Sequence, residues 1–204
     1  MFQPRGSWVA IPTPFKDDES VDFDTFERLI DFHAENGTNA LLVMGSTGEP
    51  TLLEPEERRA IIDRVTRYAR GKIPVFFGTT GGSTRETIRL TQYAEAQGAD
   101  GVVLVVPAYV TPPQEAVYEH FLAVARSVRF PVALYNNPTR VRVHIEPETI
   151  ARLHREAPNL YIDKEAMADV SQLAEVIALT DGGVKVLCCD YPKYGLILPT
   201  LALG

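Results

Sequence analysis

The sequence predicts an α/β fold of repeated strand–helix units: a (β/α)8 TIM barrel truncated before its eighth strand, in a single domain over residues 1–204. Three observations carry this expectation. Short apolar, β-rich runs alternate with amphipathic stretches along the chain, and most runs start about 25 to 35 residues apart, the length of a βα unit. The run Val102-Val103-Leu104-Val105-Val106 is continuously apolar, as in parallel strands covered by helices on both faces. An open dinucleotide-binding sheet would carry a Gly-x-Gly-x-x-Gly turn after its first strand, and the sequence has none, which favours the barrel.

The first strand is predicted over residues 7–10. It is followed by a helix whose Phe23, Phe26, Leu29 and Ile30 share one face and which Gly37 stops. A strand over 40–44 leads to a helix marked by Ile61, Ile62 and Val65 that ends before Gly71. After a strand over 75–78, Ser83-Thr84-Arg85-Glu86 reads as a capping box, and Gly98 marks the far end of that helix. Strands over 101–106 and 132–135 precede helices with Pro113 and Pro147 in the first turn, where a missing N–H is harmless. A strand over 160–162, a helix capped by Asp169 with Gln172, a strand over 184–187 and a last helix reaching Leu203 complete the series. The junctions Asn36-Gly37-Thr38-Asn39-Ala40 and Gln97-Gly98-Ala99-Asp100-Gly101 echo each other. A full barrel has eight strands and about 250 residues, so seven predicted strands in 204 residues are expected to stop short of closure.

Lys and Arg total 20 against 27 Asp and Glu, a net charge of −7. That surface repels phosphate backbones and anionic lipid, so no nucleic-acid or membrane partner is expected. No apolar run approaches the roughly 20 residues of a membrane helix, and the start lacks a basic-then-apolar leader profile. Cys188 and Cys189 are adjacent, which suits neither a bridge nor a metal motif, and the expected location is cytoplasmic. His33, His120, His144 and His154 lack metal spacing and are expected to be solvated. The Gly78-Thr79-Thr80-Gly81-Gly82 turn reads as a tight connection.

In a barrel the reacting groups gather at the carboxyl ends of the strands. There stand Thr13-Pro14-Phe15, Gly45-Ser46-Thr47-Gly48-Glu49, Pro107-Ala108-Tyr109, Tyr135-Asn136-Asn137-Pro138-Thr139-Arg140 and Asp163-Lys164-Glu165. Lys164 continues the run Leu160-Tyr161-Ile162, so its side chain leaves a strand. Pointing inward, it would sit where low dielectric disfavours the ammonium, and a neutral amine can form a Schiff base with a carbonyl. The alternative is an ion pair with Asp163 or Glu165, although strand alternation points neighbours to opposite faces.

Together these strand ends resemble the dihydrodipicolinate synthase and N-acetylneuraminate lyase family of Schiff-base aldolases, closest to the dihydrodipicolinate synthases. Gly45-Ser46-Thr47-Gly48-Glu49, Tyr135-Asn136-Asn137-Pro138-Thr139-Arg140 and Lys164-Glu165-Ala166 come in the family's order, and Val9-Ala10-Ile11-Pro12-Thr13-Pro14-Phe15 resembles its opening strand. The resemblance implies that Lys164 forms the imine with pyruvate and that Tyr135 shuttles protons, with Ser46 and Tyr109 completing a hydroxyl relay. It implies that Thr47 holds the pyruvate carboxylate and Arg140 the carboxylate of L-aspartate 4-semialdehyde. The product would be 4-hydroxy-tetrahydrodipicolinate, on the route to lysine. Tyr109 would reach into a neighbouring subunit, implying a homodimer or homotetramer, and neither a metal nor an organic cofactor is implied.

The sequence also departs from the family. Val141-Arg142 replaces the usual Thr-Gly, Ala108 replaces a common tyrosine, Met167-Ala168 follows Lys164-Glu165-Ala166, and Cys189 beside Asp190 stands where glycine is usual. Two other readings therefore stay open: another pyruvate-dependent 2-oxo acid aldolase or dehydratase of the same family, and a catalytically inactive truncated paralogue.

Overall fold

The computed structural model describes residues 2–189 and 195–203. Seven strands follow one another in sheet order from β1 to β7, and each adjacent pair with an assigned register is parallel. The chain divides into two compact units, Met1–Thr79 with Arg89–Val103, and Thr80–Ile88 with Leu104–Gly204.

The first unit contains β1 (Trp8–Ala10), α1 (Phe23–Glu35), β2 (Ala40–Val43), a 3-10 turn (Ser46–Gly48), α2 (Pro55–Ala69), β3 (Val75–Gly78), most of α3 (Thr84–Gln97) and the start of β4 (Gly101–Val105). Asp22 caps α1 by accepting from the Thr25 N–H, and the helix buries Phe26 and Ile30 from the predicted face. Pro55 opens α2 behind a capping box of Glu54 and Glu57 that the sequence reading did not single out. α2 buries Ile61, Ile62 and Val65 as expected. Every residue of β2 is buried, matching its continuous apolar run. At the end of β3 a Cβ on Gly78 would lie 2.0 Å from the Met44 carbonyl oxygen, so only glycine lets β3 approach the backbone that leads into Ser46.

The second unit contains the rest of β4, then α4 (Gln114–Arg126), β5 (Val132–Asn136), α5 (Pro138–Val141), α6 (Pro147–Glu156), β6 (Leu160–Glu165), α7 (Val170–Leu179), β7 (Lys185–Cys188) and α8 (Ile197–Leu203). Several expectations change in detail. β6 runs on through Asp163, Lys164 and Glu165, because ladder pairing with β5 and β7 continues under these charged side chains. Pro113 is the N-cap of α4 rather than a first-turn residue, while Pro147 does open α6. Ser83 Oγ accepts from the Glu86 N–H, but the Glu86 carboxylate accepts from Gly82 N–H instead of closing the box on Ser83. Asp169 caps α7 by accepting from Ser171 N–H, and Gln172 turns inward to donate to the Ile145 carbonyl. The solvated state expected for the histidines fails at His120, which is 7% exposed with Nδ1 against Thr84 Oγ1. Its helix presents Val117, Phe121 and Val124 to the core, and one face carries it inside. The short α5 has no counterpart among the predicted elements.

Candidate active site

Parallel pairing places Tyr135 opposite Lys164, and alternation sends both to one face of the sheet while Asn136 and Glu165 take the other. The Lys164 Nζ lies 3.8 Å from the centroid of the Tyr135 ring. Burial pushes the Lys164 amine below its ordinary value; the neighbouring Cys189 sulfur pulls the other way, and the Arg140 cation adds to the depression. The ion pair with Asp163 or Glu165 is not formed, because both carboxyls lie on the opposite face. Lys164 as a residue keeps partial exposure.

Tyr135 is 8% exposed, and its hydroxyl oxygen accepts a hydrogen bond from Asn137 Nδ2 at 2.5 Å. Asn137 is the N-cap of α5 and in turn accepts from Thr139 Oγ1 at 2.6 Å. The sequence reading quoted Asn137 but gave it no role, although residues i and i+2 at a strand end share a face and could have signalled the pairing. Arg140 is exposed on α5. Tyr109 is fully exposed with a left-handed φ of 77°. Nothing among the described residues hydrogen-bonds the Tyr109 side chain. Asp190 lies outside the described residues.

Behind β6 sits a buried polar network. Glu165 accepts from Asn136 Nδ2 at 2.9 Å and from Met167 N–H at 2.7 Å, and Asn136 also accepts from Ile145 N–H at 2.9 Å. These bonds tie the segment after Arg142 to β5 and β6 and so fix the strands that carry Tyr135 and Lys164. Asp163 is 0% exposed, and neither of its carboxyl oxygens has a partner among the described residues. Burial beside Glu165 pushes the Asp163 carboxyl well above its usual range, and Glu165 rises to about 7, also mainly through burial.

The sign of the linkage follows. Both folded values lie above the unfolded ones, so the stability these groups contribute is present below about pH 4 and is lost as pH rises toward and past 7. Asp163→Leu removes one buried acid. It is expected to raise the thermal midpoint by several degrees at about pH 8 and by clearly less at about pH 5, as read by calorimetry. Equal shifts at both pH values would show that the carboxyl is not held protonated.

In the first unit, Gly45-Ser46-Thr47-Gly48-Glu49 forms the 3-10 turn after β2, entered through Met44 at φ 55° and left through Glu49 at φ 52°. Thr13 Oγ1 donates to the Gly48 carbonyl at 2.6 Å and pins the turn from the end of β1. Ser46 is half-buried and Thr47 exposed. These two predicted site residues thus share one turn, while Lys164, Tyr135, Arg140 and Tyr109 belong to the second unit. Among the described residues no three His, Cys, Asp or Glu side chains cluster as a metal site, and no helix is long and apolar enough to cross a membrane.

The model of the dihydrodipicolinate synthetase family matches residues 3–204. A 4-hydroxy-tetrahydrodipicolinate synthase from Sulfurihydrogenibium sp. (strain YO3AOP1) is 44% identical over 98% of this chain and 67% of its own length. The crystal structure of dihydrodipicolinate synthase from Aquifex aeolicus superposes with a TM-score of 0.93 at 40% identity, over 98% of this chain and 67% of that one. A dihydrodipicolinate synthase variant described as monomeric matches with a TM-score of 0.90 at 35% identity, over 98% of this chain and 66% of its own. The chain thus spans about two thirds of the length of these relatives.

Proposed function

The chain belongs to the dihydrodipicolinate synthetase family, and on that footing we propose that it is a lyase condensing pyruvate with L-aspartate 4-semialdehyde to 4-hydroxy-tetrahydrodipicolinate through a Schiff base on Lys164. The observation that carries the reading is a strand-borne amine, held below its usual basicity by burial and seated against the Tyr135 ring. The neutral amine adds to the keto carbon of pyruvate, and the carbinolamine loses water. The protonated imine draws electrons, a methyl proton leaves, and the resulting enamine attacks the aldehyde carbon; the amino group of the semialdehyde then adds to the imine carbon, closing the ring and expelling the Lys164 amine. Tyr135, steadied by Asn137, passes protons at the imine and the new hydroxyl.

Ser46 and a Tyr109 contributed by a second copy complete the relay in this reading. The exposure of Tyr109 supports such a contribution. A homodimer or homotetramer follows from it, although one relative is described as monomeric. Thr47 takes the pyruvate carboxylate, and the Arg140 guanidinium takes that of the second substrate in a two-pronged geometry. The same reading makes the two units parts of one barrel domain in a cytoplasmic enzyme that needs no cofactor.

A second reading keeps the imine chemistry and changes the aldehyde. Arg142, exposed at a left-handed φ of 65°, puts an additional cation two residues from Arg140. The test combines borohydride trapping of pyruvate with turnover on L-aspartate 4-semialdehyde. The expected result is a reduced pyruvate adduct and product from the semialdehyde. Arg140→Ala should leave trapping nearly intact while lowering kcat/KM for the semialdehyde about a hundredfold. Trapping without product would favour the second reading, and equal loss of both in Arg140→Ala would make Arg140 a support of the fold.

A further inference from the structure

Parallel pairing of β6 with β7 places Lys164 opposite Leu187 and Glu165 opposite Cys188. The Cys189 N–H completes this ladder by donating to the Glu165 carbonyl at 2.7 Å. Alternation along the strand then sends Cys189 to the face of Leu187 and Lys164, and Cys188 to the face of Glu165. The outcome is a hydrogen bond between the Lys164 amine and the Cys189 sulfur. Both residues are half-buried, and both cysteines carry free thiols.

The two cysteines are therefore unequal, since Cys189 alone shares a face with the amine. A bridge between them would have to join side chains on opposite faces. Adjacent Cα atoms also lie about 3.8 Å apart, nearer than the roughly 4.4 Å at which disulfide spans usually begin. A thiol beside a nucleophilic amine has another product open to it. Its sulfenic acid is an electrophile at sulfur, and a nitrogen nucleophile displaces the hydroxyl. Burial raises the unprotonated share of the Lys164 amine, the form that attacks. The flexible lysine stem lets a hydrogen-bonded contact close to a covalent one.

We propose that Cys189 is a peroxide-sensitive modification site whose oxidation links it covalently to Lys164. The Cys189 thiol gives up two electrons to hydrogen peroxide, yielding a sulfenic acid and one water. The Lys164 nitrogen then bonds to the sulfur as the S–O bond breaks, and the departing hydroxide takes a proton from nitrogen as a second water. The S–N link consumes the amine, and a small thiol reopens it. On the Schiff-base reading the link switches off imine formation, whereas its own chemistry needs only the contact between Cys189 and Lys164.

The test exposes the full chain to a small excess of hydrogen peroxide, blocks the remaining thiols and reads the digest by mass spectrometry. The expected result is the Lys164 and Cys189 peptides joined with loss of two hydrogens, and parted again by dithiothreitol. Borohydride trapping of pyruvate should fall with the linked fraction and return on reduction. Cys189→Ser should abolish the link, while Cys188→Ser, altered on the other face, should keep it. The proposal is overturned if Cys189 stays a free thiol or ends only as a sulfinic acid or a disulfide. It is equally overturned if the link persists in Cys189→Ser or is lost in a folded Cys188→Ser. A link without loss of trapping counts against the Schiff-base reading and leaves the modification standing.

Discussion

Replacing Lys164 with methionine is expected to abolish the borohydride-trapped pyruvate adduct and to lower turnover by at least about 10⁴-fold, since the proposed reading gives the covalent step to this amine. Methionine is unbranched and one atom shorter, so it removes the amine over the Tyr135 ring without adding bulk. The fold should survive. Stability should hold or rise, because a partly buried amine whose charged form is disfavoured is costly to place there. Lys164→Arg sharpens the result: a guanidinium keeps a cation in place but stays protonated, so it too should give no adduct. The check is the mass of the peptide spanning β6 after pyruvate and borohydride. An adduct of undiminished yield in Lys164→Met would place the reacting amine elsewhere.

Tyr135→Phe is the second large effect. The ring remains under Lys164 and only the hydroxyl goes, leaving Asn137 Nδ2 without its acceptor. Loss of a positioned proton carrier lowers kcat by about 10²- to 10⁴-fold, while the fold survives with a thermal midpoint lowered by a few degrees at most, for the buried Asn137 donor left unpaired. Asn137 acts through Tyr135 as a positioning residue, so Asn137→Ala should lower kcat by a smaller factor and shift its pH profile, with KM for pyruvate nearly constant. If Tyr135→Phe turns over at the parental rate, protons take another route.

The repeat of strands and helices was legible because apolar runs and capping residues are local signals. β2 and β4 are continuous apolar runs, and they are strands. The end of β6 was legible in part: Lys164 was read as leaving a strand, yet the predicted strand stopped at Ile162, and it is pairing with Tyr135, Asn136 and Cys188 that carries the sheet on to Glu165. The burial of Asp163 and Glu165 was equally hidden, because a carboxyl at 0% exposure is set by the helices packed over β6 and not by its neighbours in sequence. His120 went the same way. Lys164 and Tyr135 were legible as candidates from strand-end position and family resemblance, but their contact is a property of β5–β6 register. Asn137 emerged only when α5 placed its amide on the Tyr135 hydroxyl.

The most direct measurement is the pH dependence of adduct formation at Lys164, followed as trapped peptide against time with pyruvate in excess. The rate should rise through an inflection below the ordinary lysine value of 10.5. An inflection at that ordinary value would mean an amine in bulk water, and the strand-borne nucleophile on which the proposed chemistry rests would not exist.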